Sequence, residues 1–418
     1  MTFEPGHNSA SLPFFEPKRY RWLVVFLMWL GQLVYYFIYS SVAVLGPVLK
    51  GELGLNNTEF GILCGAIGVG TTVVQIPGGL WCDRLGIRIV LTLAFILIAI
   101  CSFTFSLSKT FAFAGFILLF LGIAVGCSQI AAAKAIIDWF PFSGRATAMG
   151  IKQTGGNAGG VAGSLALPFL LGLYDWRLLF KSMSALALLF ALFFSIFYRD
   201  AGKMSNDLSD RPLWLREALL SLKQTQFLLV TMAGVFLIGA QFSFSSYLVL
   251  YLNQSLHYSL EISGIILALS FAVGAIARVG WGLSSDYIFK SRKTTLVFIV
   301  AFGAGAFFAL GLLTPSTPVW LLYLFSIYLG ITVMGWIGIW MILVGELSQG
   351  KATGLGMGLS FFFANLGMLL GPPFFGFLTD FFHSFFLSWV FLALCMTIAS
   401  FLLLYSERTS ARMFLVKG

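Results

Sequence analysis

Three cations stand inside apolar stretches of this 418-residue chain: Lys134, Lys152 and Arg278. A charge at the centre of a bilayer costs about 2.5–3.5 kcal/mol even on a lenient insertion scale, so it is normally paired or functional. The sixteen acidic residues all fall near the ends of such stretches, in loops or in tails, and none lies at depth. The simplest counter-charge is then an anionic solute in a shared cavity. Arg278 suits that task because its planar fork of donors matches a carboxylate or another oxyanion. The bland alternative is a long side chain snorkelling to the interface, and it weighs most on Lys134, next to the inner end of its stretch. Neutral groups that would complete a pocket are Tyr36 and Tyr39 in the first stretch, Gln75, Asn157, Asn365, and Gln241 with Tyr247 in the seventh. Each has a structural alternative, since Tyr favours membrane interfaces and Asn bridges packed helices.

A second group has the chemistry of a latch. The decapeptide Gly79-Leu80-Trp81-Cys82-Asp83-Arg84-Leu85-Gly86-Ile87-Arg88 ends one apolar stretch and begins the next, and Gly282-Leu283-Ser284-Ser285-Asp286 echoes it. An Asp at the inner end of a span accepts hydrogen bonds from the N-terminus of a neighbouring helix, or pairs with an Arg across an interface. Topological anchoring by positive charge explains Arg84 and Arg88 equally well but says nothing about Asp83.

The elements that must position these residues follow from composition. The chain is 59% hydrophobic and 10% charged, with 45 Phe, 45 Gly and a mean hydropathy of +0.94. A soluble domain of this size needs a far more charged surface. A span needs about 20 mostly apolar residues, and such stretches occur near 22–47, 60–81, 87–107, 112–139, 147–173 and 178–198. A second set follows near 227–252, 262–284, 294–313, 319–345, 352–379 and 384–405. Uninterrupted apolarity excludes a transmembrane β-barrel, whose strands alternate. The expected fold is therefore an all-α membrane protein of twelve helices.

Charge sets the orientation. With both termini inside, 18 of the 25 Lys and Arg fall on cytoplasmic segments, while Lys50, Lys109, Arg177 and Lys181 lie on the far side. That asymmetry is the positive-inside pattern, and it accounts for the net charge of +9 without a nucleic-acid partner. Residues 1–17 do not read as a cleavable signal peptide. The five cysteines have no paired spacing, so neither a disulfide framework nor a metal site is expected. No cofactor is expected either. His7, His257 and His383 fall in a tail or in outer loops, no nucleophile–base pair is apparent, and the chain does not read as an enzyme.

The chain repeats itself. Gln75 and Arg278, Gly79 and Gly282, and Asp83 and Asp286 are each 203 residues apart; Asn157 and Asn365, and Gly163 and Gly371, are 208 apart. Two pseudo-symmetric six-helix halves are implied, residues 1–198 and 227–418, joined by a polar cytoplasmic linker at 199–226. Parallel repeats of this kind bind solute near the midplane between them. Glycine-rich runs such as Gly155 to Gly163 let helices approach closely.

The two loop motifs and the repeat resemble the major facilitator superfamily of secondary transporters over nearly the whole chain. The resemblance implies that Asp83, Arg84 and Arg88 latch the outward-facing state, with Asp286 in a lesser version. Arg278-Val279-Gly280-Trp281-Gly282 followed by Ser285-Asp286 resembles the eighth helix of oxalate/formate-type carboxylate antiporters, and nitrate porters place a substrate-binding Arg there as well. The departures are informative. Gln75 stands where nitrate porters carry an Arg, and Phe37 precedes Ile38-Tyr39 where sugar-acid symporters carry Asp-Arg. Oxalate transporters have a Lys in the eleventh helix, absent between Ser360 and Leu366. Multidrug antiporters need an Arg before their Leu-x-x-Gly, but Leu118 to Gly122 has none.

The expectation is an inner-membrane carrier moving a small organic anion, most simply a carboxylate, by alternating access. Arg278 holds the anion, Lys152 is a second cation, and the neutral residues named above shape the pocket. A co-transported proton is a further expected partner, and the superfamily default is a monomer in the bilayer. Alternatives are a carrier of amino acids or other zwitterions, a drug/proton antiporter, and a non-transporting scaffold on the same fold.

Overall fold

Inside a bilayer every backbone N–H and C=O must find its partner within the protein, and an apolar segment satisfies this as a helix. The computed structural model describes residues 17–201, 224–348 and 353–416. Its membrane helices are α1 (Pro17–Val44), α2 (Asn57–Val73 continued by Gln75–Leu85), α3 (Ile87–Phe105), α4 (Phe111–Trp139), α5 (Phe142–Leu171) and α6 (Trp176–Phe197). Then come α7 (Thr225–Gln254), α8 (Leu260–Leu283, extended by a π turn at Ser284–Ile288), α9 (Arg292–Gly311), α10 (Val319–Leu329 and Ile337–Leu347), α11 (Thr353–Phe382) and α12 (Phe385–Val416). Ten of these are individually long and apolar enough to span, and the two pieces of α2 together make an eleventh. The twelfth, α5, has the length but is diluted by glycines and by Lys152-Gln153-Thr154. Most of the expected linker, residues 202–223, lies outside the described residues.

Two helices depart from the straight spans that the apolar pattern suggests. The α2 axis bends by 53°; Pro77 lacks an N–H and crowds the carbonyl one turn before it, so the helix yields at Val74 and leaves Gln75 on the elbow. In α10 a π turn at Gly330–Met334 interrupts the regular ladder, and such turns re-aim backbone carbonyls. Between α2 and α3, Gly86 holds φ +88°, a conformation favouring glycine. That turn brings the backbone N–H groups of Ile87 and Arg88 to Asp200 Oδ1 at 2.8 and 3.1 Å.

Both described ends of the chain, at α1 and α12, lie on one face of the membrane region, called here the terminal end. The first six helices pack chiefly as α1/α5, α2/α4 and α3/α6, the last six as α7/α11, α9/α12 and α8/α10. The halves meet through α2/α11, α5/α8 and α1/α7. These contacts are tight toward the far end. A Cβ on Gly61 would stand 2.3 Å from the Pro372 carbonyl, and one on Gly376 would stand 2.2 Å from that of Asn57. Toward the terminal end, a Cβ on Gly79 of α2, Gly358 of α11, Gly150 of α5 or Gly280 of α8 would meet no atom within 4 Å.

Candidate substrate site and gates

Arg278 on α8 donates from Nε to the Met334 carbonyl at 3.2 Å. Three residues on, Trp281 Nε1 donates to the Ile331 carbonyl at 2.8 Å. Both acceptors belong to the π turn of α10, whose altered ladder aims carbonyls at α8. Gly335 keeps the approach open, since a Cβ there would stand 2.9 Å from the Trp281 ring. One nitrogen of the guanidinium is thereby anchored. Among the described residues no carboxylate pairs with Arg278, and its one charged or titratable neighbour in electrostatic reach is Tyr36.

Lys152 on α5 is 4% exposed. Its ammonium has a single acceptor among the described residues, Gln153 Oε1 at 3.4 Å. That oxygen also receives Gln32 Nε2 at 2.9 Å, while Trp29 Nε1 donates to Thr154 Oγ1 at 3.0 Å, so α1 and α5 are stitched together at this level. The close approach requires glycine: a Cβ on Gly159 would stand 2.2 Å from the Leu33 carbonyl. The Tyr36 ring lies against Gly156 of α5 and its Cβ against Gly159.

The two cations share a level. Asn157 Nδ2 donates to the Phe271 carbonyl at 3.0 Å, the Phe271 ring covers Gly160, and Gly264 abuts Ser164. Continuing this antiparallel register of α5 and α8 brings Lys152 level with the turn centred on Arg278. Each lies ten residues from the terminal end of its helix (Phe142 and Ile288). At 1.5 Å per residue that is about 15 Å, roughly a third of the length of either helix.

The remaining candidates divide. Tyr39 packs edge-on against Phe242 of α7, 6.1 Å between centroids and across the halves. Gln75 sits half-buried on the α2 elbow, Asn365 is half-buried on α11, and Gln241 Oε1 is buried without a hydrogen-bond partner. Asn157 contributes to the α5/α8 contact itself. Tyr247 is placed differently: fully buried, it donates to the Asn57 carbonyl at 2.6 Å and packs on Phe60 and Phe375, so its hydroxyl serves the far-end closure. Lys134 is 2.8 Å from Asp83 and 3.8 Å from Asp138, an ion-pair role that its place near the helix end explains.

The charges at the two ends are arranged oppositely. At the terminal end, ion pairs form within each half: Asp83 with Lys134, and Arg292 with both Asp286 and Glu346. Arg88 donates to the Ser195 carbonyl, and Arg84 is exposed. At the far end the bonds cross between halves. Asp380, closing α11, accepts from Asn57 N (3.0 Å), Asn57 Nδ2 (2.7 Å), Thr58 N (2.7 Å) and Thr58 Oγ1 (2.6 Å). A carboxylate on the first turn of α2 is favoured by the helix dipole and the unpaired N–H groups there. Lys50 bonds to Asn57 and to Gln254 of α7; burial draws its ammonium below the usual lysine range, and the charge of Asp380 opposes that shift. Asp380, Asn57 and Thr58 were not singled out from the sequence. An Asp at a span end was visible, but nothing in the pattern says which helix N-terminus it reaches.

A twelve-helix bundle in two halves that meet tightly at the far end, with cations inside its membrane helices, has the architecture of a membrane transporter. Residues 28–348 match the profile of the Major Facilitator Superfamily, and the chain belongs to that superfamily. It is similar to the hexuronate transporter of Bacillus subtilis (strain 168), 23% identical over 85% of this chain and 87% of that one. It is also similar to the probable L-galactonate transporter of Escherichia coli (strain K12), 24% identical over 67% and 66% of the two chains. Among solved structures, a bacterial homologue of the human lysosomal transporter Spinster superimposes with a TM-score of 0.79 at 18% identity, covering 94% of this chain and 98% of that one.

Proposed function

We propose that this transporter carries a small organic anion of the sugar-acid type, bound by its carboxylate at Arg278 with Lys152 as the second cation. The observation that carries the reading is a pair of cations at one level on α5 and α8, Lys152 buried and Arg278 half-buried, with no carboxylate partner for either among the described residues. An anion between them relieves the cost of holding unpaired charge in a low dielectric. The names of the two relatives, hexuronate and L-galactonate, describe carboxylate-bearing sugars of suitable size and support this class. Tyr36, Tyr39, Gln75, Asn157, Asn365 and Gln241 supply aromatic and hydroxyl-binding surface, as a polyol requires.

The protein works as a monomer in the cytoplasmic membrane with both termini inside. The terminal end is then the cytoplasmic end, and the open space beside Gly79, Gly150, Gly280 and Gly358 there makes this the inward-facing state. Asp83, Arg84, Arg88 and Asp286 form the inner gate and exchange partners when that end closes. Asp380 with Asn57 and Thr58 forms the outer gate.

A thermal-shift panel tests the binding claim. Ligand at a thousandfold over its Kd stabilises by about 4.1 kcal/mol, so hexuronates and aldonates at millimolar concentration raise Tm while neutral sugars, amino acids and lipophilic cations do not. Arg278→Ala, retaining the fold, loses the shift. A Tm raised by amino acids or lipophilic cations, unchanged in that variant, would contradict the reading.

A further inference from the structure

Lys152 presents a chemical problem that anion binding alone does not resolve. It is buried within α5 with one long hydrogen bond to a neutral amide among the described residues. An ammonium offers three donors, and a buried charge without a counter-ion is normally removed by neutralisation. The groups facing it do not supply a negative charge. From α1 come Gln32 and Tyr36, and from α8, at the same level, comes a second cation, Arg278. On α4, Lys134 and Asp138 are at the terminal end, paired with each other and with Asp83. On α6, Arg177 pairs with Glu52 at the far end.

Resting on the carboxylate reading above, we propose that Lys152 is the proton site of coupled transport, neutral in the empty carrier and protonated when the substrate anion lies between it and Arg278. The step balances simply. The amine lone pair takes one proton from the aqueous cavity as the monoanion enters, and both leave on the other side. Binding then adds one negative and one positive charge, so the site has the same net charge empty and loaded. A guanidinium holds its proton through the cycle, which leaves Arg278 as the fixed anchor and Lys152 as the exchanging partner. The scheme would allow proton coupling in a bundle whose described helices carry no acidic residue at midplane depth.

The test is calorimetric binding of D-glucuronate and D-galacturonate to the purified full chain at one pH, repeated in buffers of different ionisation heat. The dependence on buffer gives the number of protons taken up per anion bound. The expected result is close to one for the wild type. Lys152→Arg, a permanent cation, is expected to bind with an uptake near zero, and Lys152→Gln to bind at least tenfold more weakly, also without uptake. Wild-type binding with no proton uptake overturns the proposal and leaves the carboxylate reading standing, as does an uptake of one that persists in Lys152→Arg and Lys152→Gln. Absence of binding by either uronate in the folded wild type, with binding by no other carboxylate of a panel of aldonates and dicarboxylates, overturns both. Should one lysine variant fail to fold, the other and the wild-type count still decide.

Discussion

At the scale of residues, the account depends on charges whose partners are missing and on one charge whose partners are plentiful. Arg278 has one anchoring bond to α10, from Nε, among the described residues. Removing one member of a buried charge pair typically costs 2–5 kcal/mol. Arg278→Ala is therefore expected to weaken carboxylate binding about 30-fold or more, measured by the same calorimetry, and Arg278→Lys to recover part of it. Asp380 is the opposite case, with four donors from the first turn of α2. Hydrogen bonds to a charged group contribute about 1.5–3 kcal/mol each without adding fully, so Asp380→Ala should shift the far end toward opening by at least tenfold. Spin labels at Lys109→Cys and Ser316→Cys, exposed in far-end loops of the two halves, would report it as a longer distance population. A distribution identical to that of the unsubstituted protein would remove Asp380 from the gate. The candidate cations were conspicuous in the sequence because a charge in an apolar run stands out without knowing the fold. Asp380 was not, because its partners are 323 positions away.

At the scale of elements, the helix pairs that join the halves are built to be close at one end and free at the other. Glycine spacing in α2, α5, α8 and α11 showed that backbones approach; only the structure shows where. Gly61 is pressed on Pro372, whereas Gly280 faces open space. Gly61→Val is accordingly expected to prevent far-end closure and abolish transport, with the spin-label distance fixed at its long value. Gly280→Val is expected to leave this conformation intact, with the short distance retained, and to slow turnover by obstructing closure of the other end. Equal effects of the two substitutions on the distance would contradict this arrangement. The spans themselves were readable from apolar length alone. The bend of α2 and the π turn of α10 were not: a proline in a membrane helix does not always break it, and α11 runs uninterrupted through Pro372 and Pro373. The π turn has no signature beyond scattered glycines, yet it provides the carbonyl that anchors Arg278.

At the scale of the whole molecule, the two ends carry complementary bonding. Cross-half hydrogen bonds close the far end while the terminal-end carboxylates pair inside their own halves. On the proposed alternating-access cycle, rocking the halves would release the first set and free Asp83 and Asp286 to form their counterparts. The repeat at 203 and 208 residues made this two-half design visible before any coordinates. Which end is closed depends on contacts between residues far apart in the chain and was not readable from it. The central claim, carriage of a sugar-acid anion by its carboxylate at Arg278, is tested most directly by counterflow. Proteoliposomes loaded with unlabelled D-glucuronate or D-galacturonate are diluted into the labelled compound, comparing wild type with Arg278→Ala. The account predicts transient accumulation of label by the wild type, competed by other sugar acids but not by neutral sugars, and none by the variant. Undiminished accumulation by the variant, or none by a folded wild type with any sugar acid, would contradict it.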